Sequence, residues 1–150
     1  EVYGRSVAMM AGYKGRTDSF TPDGWFATGD VMRRDANGNY YFLSRSKDMI
    51  KSGGENIYAS EVENAITLDS DGVAECAVIG LPDREWGEIV TAAVVLRPGV
   101  QMTEDDVINH CKTTIASYKK PKKVFFLPEL PLSGVGKVQK YVLREMLMQM

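Results

Sequence analysis

Arg45-Ser46-Lys47-Asp48-Met49-Ile50-Lys51-Ser52-Gly53-Gly54-Glu55-Asn56-Ile57-Tyr58-Ala59-Ser60-Glu61-Val62-Glu63 is the stretch from which the architecture can be read. Upstream of it the text is turn-rich from Asp23 to about Arg45. Asn37-Gly38 lies between Asp30-Val31-Met32-Arg33 and Tyr40-Tyr41-Phe42-Leu43, and that pair tolerates the positive φ of a tight turn, so a β-hairpin is expected. After Arg45 the character changes, and Gly53-Gly54 permits backbone shapes that a side chain would block. A domain boundary is therefore placed near Lys47, separating residues 1–46 from 47–150. Ser60-Glu61-Val62-Glu63 has capping-box spacing, with Ser60 set to accept from first-turn amides and Glu63 to reach back. Val62, Ala65 and Ile66 then give one apolar helical face.

Farther on, Val73 to Gly80 and Ile89 to Leu96 are β-rich runs, separated by the loop residues Pro82, Asp83 and Gly87. Thr103, followed by Glu104, Asp105 and Asp106, starts a helix with acidic residues at the positive end of its dipole; Val107, Ile108, Cys111 and Ile115 are its buried stripe. Tyr118-Lys119-Lys120-Pro121 ends it. Val124-Phe125-Phe126-Leu127 is a third short strand, Pro131 to Lys137 a loop, and a last amphipathic helix places Leu143, Met146, Leu147 and Met150 on one side, with Met148 and Met150 read as core filler. The order helix, strand, strand, helix, strand, helix predicts a small α+β domain: a short, mostly antiparallel three-stranded sheet flanked by helices and preceded by the hairpin.

Composition bounds the partners. Of 150 residues, 18 are Lys or Arg and 20 are Asp or Glu, a net charge of −2, with 44% apolar types. Disordered and collagen-like classes are excluded, and near-neutral charge argues against nucleic acid, whose affinity comes from uncompensated cations. Apolar runs such as Ala92-Ala93-Val94-Val95-Leu96 fall far short of the roughly 20 residues that span a bilayer, so no transmembrane anchor is expected. Cys76 and Cys111 sit in apolar-periodic segments and read as reduced, buried thiols of a cytoplasmic protein. No secretory leader is visible at Glu1, and entry directly into Val-Tyr-Gly without an initiator Met is read as a fragment of something longer. Phosphate-loop, nucleophile-elbow and zinc-protease signatures are absent, and His110 beside Cys111 lacks the spacing of a zinc site, so it reads as a satisfied surface histidine and no metal site is expected.

Three stretches stand in one order and register: Gly24-Trp25-Phe26-Ala27-Thr28-Gly29-Asp30, the Arg45 to Glu63 segment, and Pro131-Leu132-Ser133-Gly134-Val135-Gly136-Lys137-Val138-Gln139-Lys140, with Gly12-Tyr13 and Tyr118-Lys119-Lys120-Pro121 between and before them. Together they resemble the C-terminal part of the ATP-dependent adenylate-forming superfamily of acyl-CoA synthetases, peptide-synthetase adenylation domains and luciferases, over essentially the whole chain. The resemblance implies that residues 1–46 end a large N-terminal adenylating domain and that 47–150 form its mobile C-terminal domain. It implies that Asp30 holds the ribose hydroxyls of ATP, as an ionised carboxylate accepting two hydrogen bonds can, with a turn residue as the plain alternative. Arg45 would contact the nucleotide through its permanent charge and fixed donors, or be a surface ion-pair arginine. Ser44 precedes it where the family usually has Gly or Asp.

Lys47 falls at the family's hinge, where backbone rotation is absorbed, and is otherwise an exposed lysine. Gly53 and Gly54 match the glycines beside the pantetheine tunnel for CoA, or are turn glycines. Lys137 would bring an ammonium to the charge that gathers as a carboxylate attacks the α-phosphate; the bland reading is a solvated loop lysine. Lys119 and Lys120, within Lys119-Lys120-Pro121-Lys122-Lys123, are by default a solvated charge run and by hypothesis a site for CoA phosphates.

The implied activity is that of an acyl-CoA ligase using ATP, CoA and Mg2+ with a fatty acid or related carboxylic acid. The Ser-Gly-Gly-Glu-Asn-Ile-Tyr string is closer to fatty-acyl ligases than to amino-acid-activating domains, although Ala59 stands where those ligases often have Pro. The phosphate loop, the magnesium-orienting glutamate and the acyl pocket belong to the missing N-terminal domain, so the chain alone is expected to be inactive. A peptide-synthetase adenylation domain, or a non-catalytic interaction module retaining the fold, are the alternatives.

Overall fold

The computed structural model describes residues 1–15, 19–68 and 70–150. The chain divides into two compact units, Glu1–Lys47 and Asp48–Met150. A short 3-10 turn over Ser46–Asp48 carries the boundary.

In the first unit, β1 (Tyr3–Gly4) pairs antiparallel with β2 (Phe26–Ala27). Next come β3 (Asp30–Arg34) and β4 (Tyr40–Arg45), an antiparallel hairpin in which Asp30 is registered on Arg45 and Arg34 on Tyr40. The Asn37-Gly38 reading holds, for a specific reason. The Asp35 carboxylate accepts from the backbone N–H groups of Asn37 and Asn39, each at 2.9 Å, and Gly38 takes a φ of 89°. Those hydrogen bonds hold the Asp35 carboxyl below its ordinary pKa.

The second unit opens with β5 (Met49–Ser52) and β6 (Glu55–Tyr58), then α1 (Ala59–Thr67), β7 (Val73–Asp83), β8 (Gly87–Leu96), α2 (Glu104–Thr114), β9 (Lys123–Phe126) and α3 (Lys140–Met148). It is an α+β domain, and the three expected strands are present, but its sheet has five strands rather than three. β7 pairs antiparallel with β8 along its length. The other edge of β8 is shared: Gly87 meets Ser52 of β5, and Thr91 to Val94 run parallel to Lys123 to Phe126 of β9. β6 then adds to β5 across the Gly53-Gly54 turn. The strands β7 and β8 also reach farther than their apolar runs. Asp83 Oδ1 accepts from the N–H groups of Glu85 and Trp86, at 2.9 Å each, and so lets the ladder continue through Pro82 to a tight turn.

Both faces of this sheet are covered, which is why β7 and β8 are apolar without strict alternation. Val78, Val90, Ala92 and Val94 pack with Val62, Ala65 and Ile66 of α1 and Val107 and Cys111 of α2. Ala77, Ile79, Leu81 and Ala93 pack on the opposite face with Leu127, Leu130, Leu143 and Leu147. α2 begins as expected, with a reciprocal cap: Asp106 N–H donates to Thr103 Oγ1 at 3.2 Å and Thr103 N–H donates to Asp106 Oδ2 at 2.8 Å.

Two local expectations are corrected. α1 is capped at Tyr58, with no side-chain cap, and Ser60 lies within its first turn. Glu63 is drawn instead to the sheet, where its carboxylate accepts from Val78 N–H at 2.8 Å. In α3, Leu143 and Leu147 are buried, but Met146 is 41% exposed, and Met148 and Met150 are exposed too. The apolar stripe is thus narrower than the spacing suggests, and those methionines are surface residues.

Candidate functional site

Asp30 and Arg45 are brought together by the β3–β4 register. Gly29 takes a φ of 73°, Asp30 N–H donates to Thr28 Oγ1 at 3.1 Å, and Val2 N–H donates to the Asp30 carbonyl at 2.8 Å, so the backbone around the carboxylate is pinned on both sides. Arg45 Nε lies 2.9 Å from Asp30 Oδ1. That oxygen is shielded from solvent and receives no hydrogen bond, so the contact is an ion pair whose N–H is not aimed at the acceptor. A buried carboxylate oxygen in this state has acceptor capacity left over and is costly until a donor fills it. The chemistry of the pair suits a ligand that offers hydroxyl donors and negative charge, as a ribose phosphate does. Lys47 ends the first unit, within the 3-10 turn at the boundary.

In the second unit, Gly53 and Gly54 have φ values of 59° and 85°, two successive left-handed residues that close the β5–β6 hairpin. Gly53 N–H donates to the Trp86 carbonyl at 2.9 Å. A Cβ on Gly53 would stand 2.7 Å from Trp86 Cε3, whereas one on Gly54 would meet nothing within 4 Å. The two glycines therefore differ: the first lets an indole close over the hairpin, and the second faces open space. Trp86 and Gly53 line an open cavity of about 600 Å³ together with Ser52, Glu55, Ser117, Tyr118, Lys120 and Lys122. Lys122 Nζ lies 2.9 Å from the Trp86 ring centroid, a cation–π contact that orients the indole.

The lysine run is divided by its surroundings. Lys119 Nζ donates to both oxygens of Glu61, at 2.6 and 2.8 Å, and those hydrogen bonds hold its ammonium above its ordinary pKa. Its charge is neutralised within the domain. Lys120 stands on the cavity wall and donates to the Ser117 carbonyl at 3.1 Å. Trp86 is marked in the sequence only by standing among the loop residues Asp83 and Gly87, and Lys122 only as a member of the lysine run.

Lys137 sits on a tight turn. Leu132 bridges to Val138, Ser133 N–H donates to the Lys137 carbonyl at 2.8 Å, and Lys137 N–H donates to Ser133 Oγ at 3.1 Å. Its side chain is exposed, and among the described residues its ammonium has no partner. The other candidates are accounted for structurally. His110 Nε2 lies 2.7 Å from the Leu68 carbonyl, and no group of three potential ligands that could hold a metal ion occurs among the described residues. Burial and the Glu63 charge push the Cys76 thiol up to about 12, and burial pushes Cys111 up to about 11, so both are protonated, poor nucleophiles at neutral pH.

The small α+β domain formed by this sheet and its helices matches the C-terminal domains of adenylate-forming enzymes. Residues 61–137 match the family model of the AMP-binding enzyme C-terminal domain, and the chain belongs to that family. It is 48% identical over 123 residues to the long-chain-fatty-acid–CoA ligase FadD13 of Mycobacterium tuberculosis, covering 82% of this chain and 24% of that protein. It is 45% identical over 135 residues to a feruloyl-CoA synthase of Amycolatopsis, covering 88% of this chain and 27% of that one. Among solved structures, ATP-bound MatB from Rhodopseudomonas palustris superposes with a TM-score of 0.79 at 43% identity, over 85% of this chain and 25% of that one. The chain thus spans about a quarter of the length of these relatives.

Proposed function

We propose that this chain is the C-terminal part of an ATP-dependent acyl-CoA ligase acting on a fatty acid or a related carboxylic acid. In the first step a carboxylate oxygen attacks the α-phosphorus of ATP, forming the acyl-adenylate and releasing pyrophosphate. In the second the thiol of CoA attacks the acyl carbon and AMP departs. Residues 1–46 end the large adenylating domain in this reading, and 47–150 are the mobile domain that turns about Lys47 between the two steps.

The observation that carries the reading is Lys137: an unpartnered ammonium on an internally hydrogen-bonded turn, suited to meeting transition-state charge without first breaking a bond of its own. Asp30 and Arg45 support it. The unfilled Oδ1 acceptor and the exposed guanidinium fit a nucleotide's ribose and phosphate. Mg2+ accompanies ATP in this scheme, with its ligands in the remainder of the protein. The relatives' names, a long-chain-fatty-acid–CoA ligase and a feruloyl-CoA synthase, support the carboxylic-acid class and leave the acyl chain to a pocket outside these residues. No helix among the described residues is long and apolar enough to cross a membrane. Cys76 and Cys111, free and set in the apolar interior, fit a reducing, cytoplasmic setting.

ATP–pyrophosphate exchange on the full-length protein, across a panel of carboxylic acids and then with CoA added, tests the proposal. Acid-dependent exchange without CoA, followed by acyl-CoA and AMP when CoA is present, is expected. Exchange with no acid in the panel, or adenylates that never pass to CoA, would count against it. The 150-residue chain alone should support neither step.

For the second step, the reading places CoA phosphates near Lys120, with Gly53 and Trp86 beside the pantetheine path; Lys119 contributes through its Glu61 pair rather than directly. Lys120→Glu in the full-length protein should raise the KM for CoA about tenfold, the worth of one charge-assisted hydrogen bond, and leave pyrophosphate exchange unchanged. An unchanged KM would remove Lys120 from the site.

A further inference from the structure

The turn that carries Lys137 is closed within itself, and it joins the domain through two legs. Gln139 N–H donates to the Pro131 carbonyl at 2.8 Å and closes the base, so the turn behaves as one stiff piece. One leg is held by Leu130, buried among Leu127, Leu143 and the lower sheet face. The other leg ends at Lys140, the first residue of α3, and here the anchor is ionic. Lys140 Nζ donates to Glu63 Oε1 at 2.6 Å and to the Val78 carbonyl at 3.1 Å, while the same Glu63 oxygen accepts from Val78 N–H at 2.8 Å. Both side chains are about three-quarters shielded from solvent. The anchor thus ties α1, β7 and the start of α3 at one point, three residues from Lys137.

Resting on the reading of Lys137 above, we propose that Lys140 is a positioning residue: its ammonium, clasped by Glu63 and the Val78 carbonyl, fixes the second leg of the turn and so the direction in which Lys137 projects. Without that clasp the second leg is left to the apolar packing of Val138 and of Leu143 one turn on, contacts that lack the directionality of the ionic anchor. Misplacement of about 1 Å at a reacting group is enough to cost on the order of a hundredfold in rate. A lysine suits the place because one ammonium reaches a carboxylate and a carbonyl at once. Arg144, one helical turn on, provides an internal comparison: its Nη2 donates to Glu88 Oε1 at 2.7 Å, an ion pair of the same kind at a point farther from the turn.

The test uses the full-length protein. Lys140→Met keeps the length of the side chain and removes the charge. It should lower the kcat of pyrophosphate exchange by about tenfold or more, with the KM for ATP and acid held within about twofold, because an effect confined to kcat reports a loss felt at the transition state. Conversion of a supplied acyl-adenylate to thioester should stay within about twofold, Lys140→Arg should restore most of the exchange, and Arg144→Met should leave exchange near normal. Glu63→Gln, which keeps an acceptor for Val78 N–H, should repeat the Lys140→Met pattern and replaces it if that variant folds poorly. A role in stability alone would lower both half-reactions together and make Arg144→Met resemble Lys140→Met; that result, or unchanged exchange, overturns the inference. Lys137→Ala run in parallel separates the two levels. If it keeps full exchange, the reading of Lys137 fails and this inference falls with it; if it loses exchange while Lys140→Met does not, only the inference fails.

Discussion

Lys137→Ala in the full-length protein is expected to slow acyl-adenylate formation by about 10²–10³, equivalent to roughly 3–4 kcal/mol of transition-state stabilisation, while a supplied acyl-adenylate is still converted to thioester. The size follows from the electrostatics. As the carboxylate closes on the α-phosphate, negative charge gathers between the nucleophile and the departing pyrophosphate, and a preorganised cation there acts without solvent reorganisation. The geometry of the chain prepares that cation. The turn fixes the Lys137 backbone through Ser133, at 2.8 Å to its carbonyl and 3.1 Å from its N–H, while the ammonium keeps no partner among the described residues that it would have to release. The selectivity follows from the second step, in which the charge to be stabilised develops on the acyl carbonyl oxygen and the leaving AMP. Single-turnover measurement of each half-reaction checks both parts. Equal losses in the two would assign Lys137 a structural role.

What the sequence revealed and what it concealed divide along the distance over which each feature is decided. The β3–β4 hairpin was legible because Asn37-Gly38 fixes its turn locally, but the turn's own register would set Asp30 opposite Ser44, and it is a β-bulge between Val31 and Met32, which no motif announces, that sets it opposite Arg45. β7 and β8 were legible as apolar runs. β5 and β6 were not, because Met49-Ile50-Lys51-Ser52 is short and its pairing depends on β8, met through Ser52 and Gly87. Ser60 and Glu63 have the spacing of a cap, yet Glu63 finds stronger partners in Val78 and Lys140, the latter 77 residues away. Local spacing cannot register such a competition. The same holds for Lys119 and Lys120: adjacent and identical in sequence, they part company only when Glu61 claims the first and the cavity receives the second. The candidate site was thus readable wherever a motif names the residue, and unreadable where the role comes from a partner brought up by folding.

Leu143→Ala in the 150-residue chain is expected to cost about 2–5 kcal/mol of stability, the range for deleting a fully buried leucine side chain. Leu143 is 0% exposed and packs under the sheet with Leu147, Leu127 and Leu130. The site is enclosed by β-strands on one side and the loop after β9 on the other, so the cavity left by the deletion has little means of collapsing. Met146, on the same predicted stripe, is 41% exposed, and Met146→Ala should change stability by no more than about 0.5 kcal/mol. Urea denaturation of the two variants measures the contrast directly, since the midpoint shifts without a change of slope when only stability is altered. The contrast also bears on the chemistry. Leu143 N–H donates to the Gln139 carbonyl at 3.0 Å, so the residue that seats α3 in the core also secures the helical end of the Lys137 turn. Comparable losses for Leu143→Ala and Met146→Ala would mean that α3 is not seated on this face, and the turn would then lack the support on which its positioning depends.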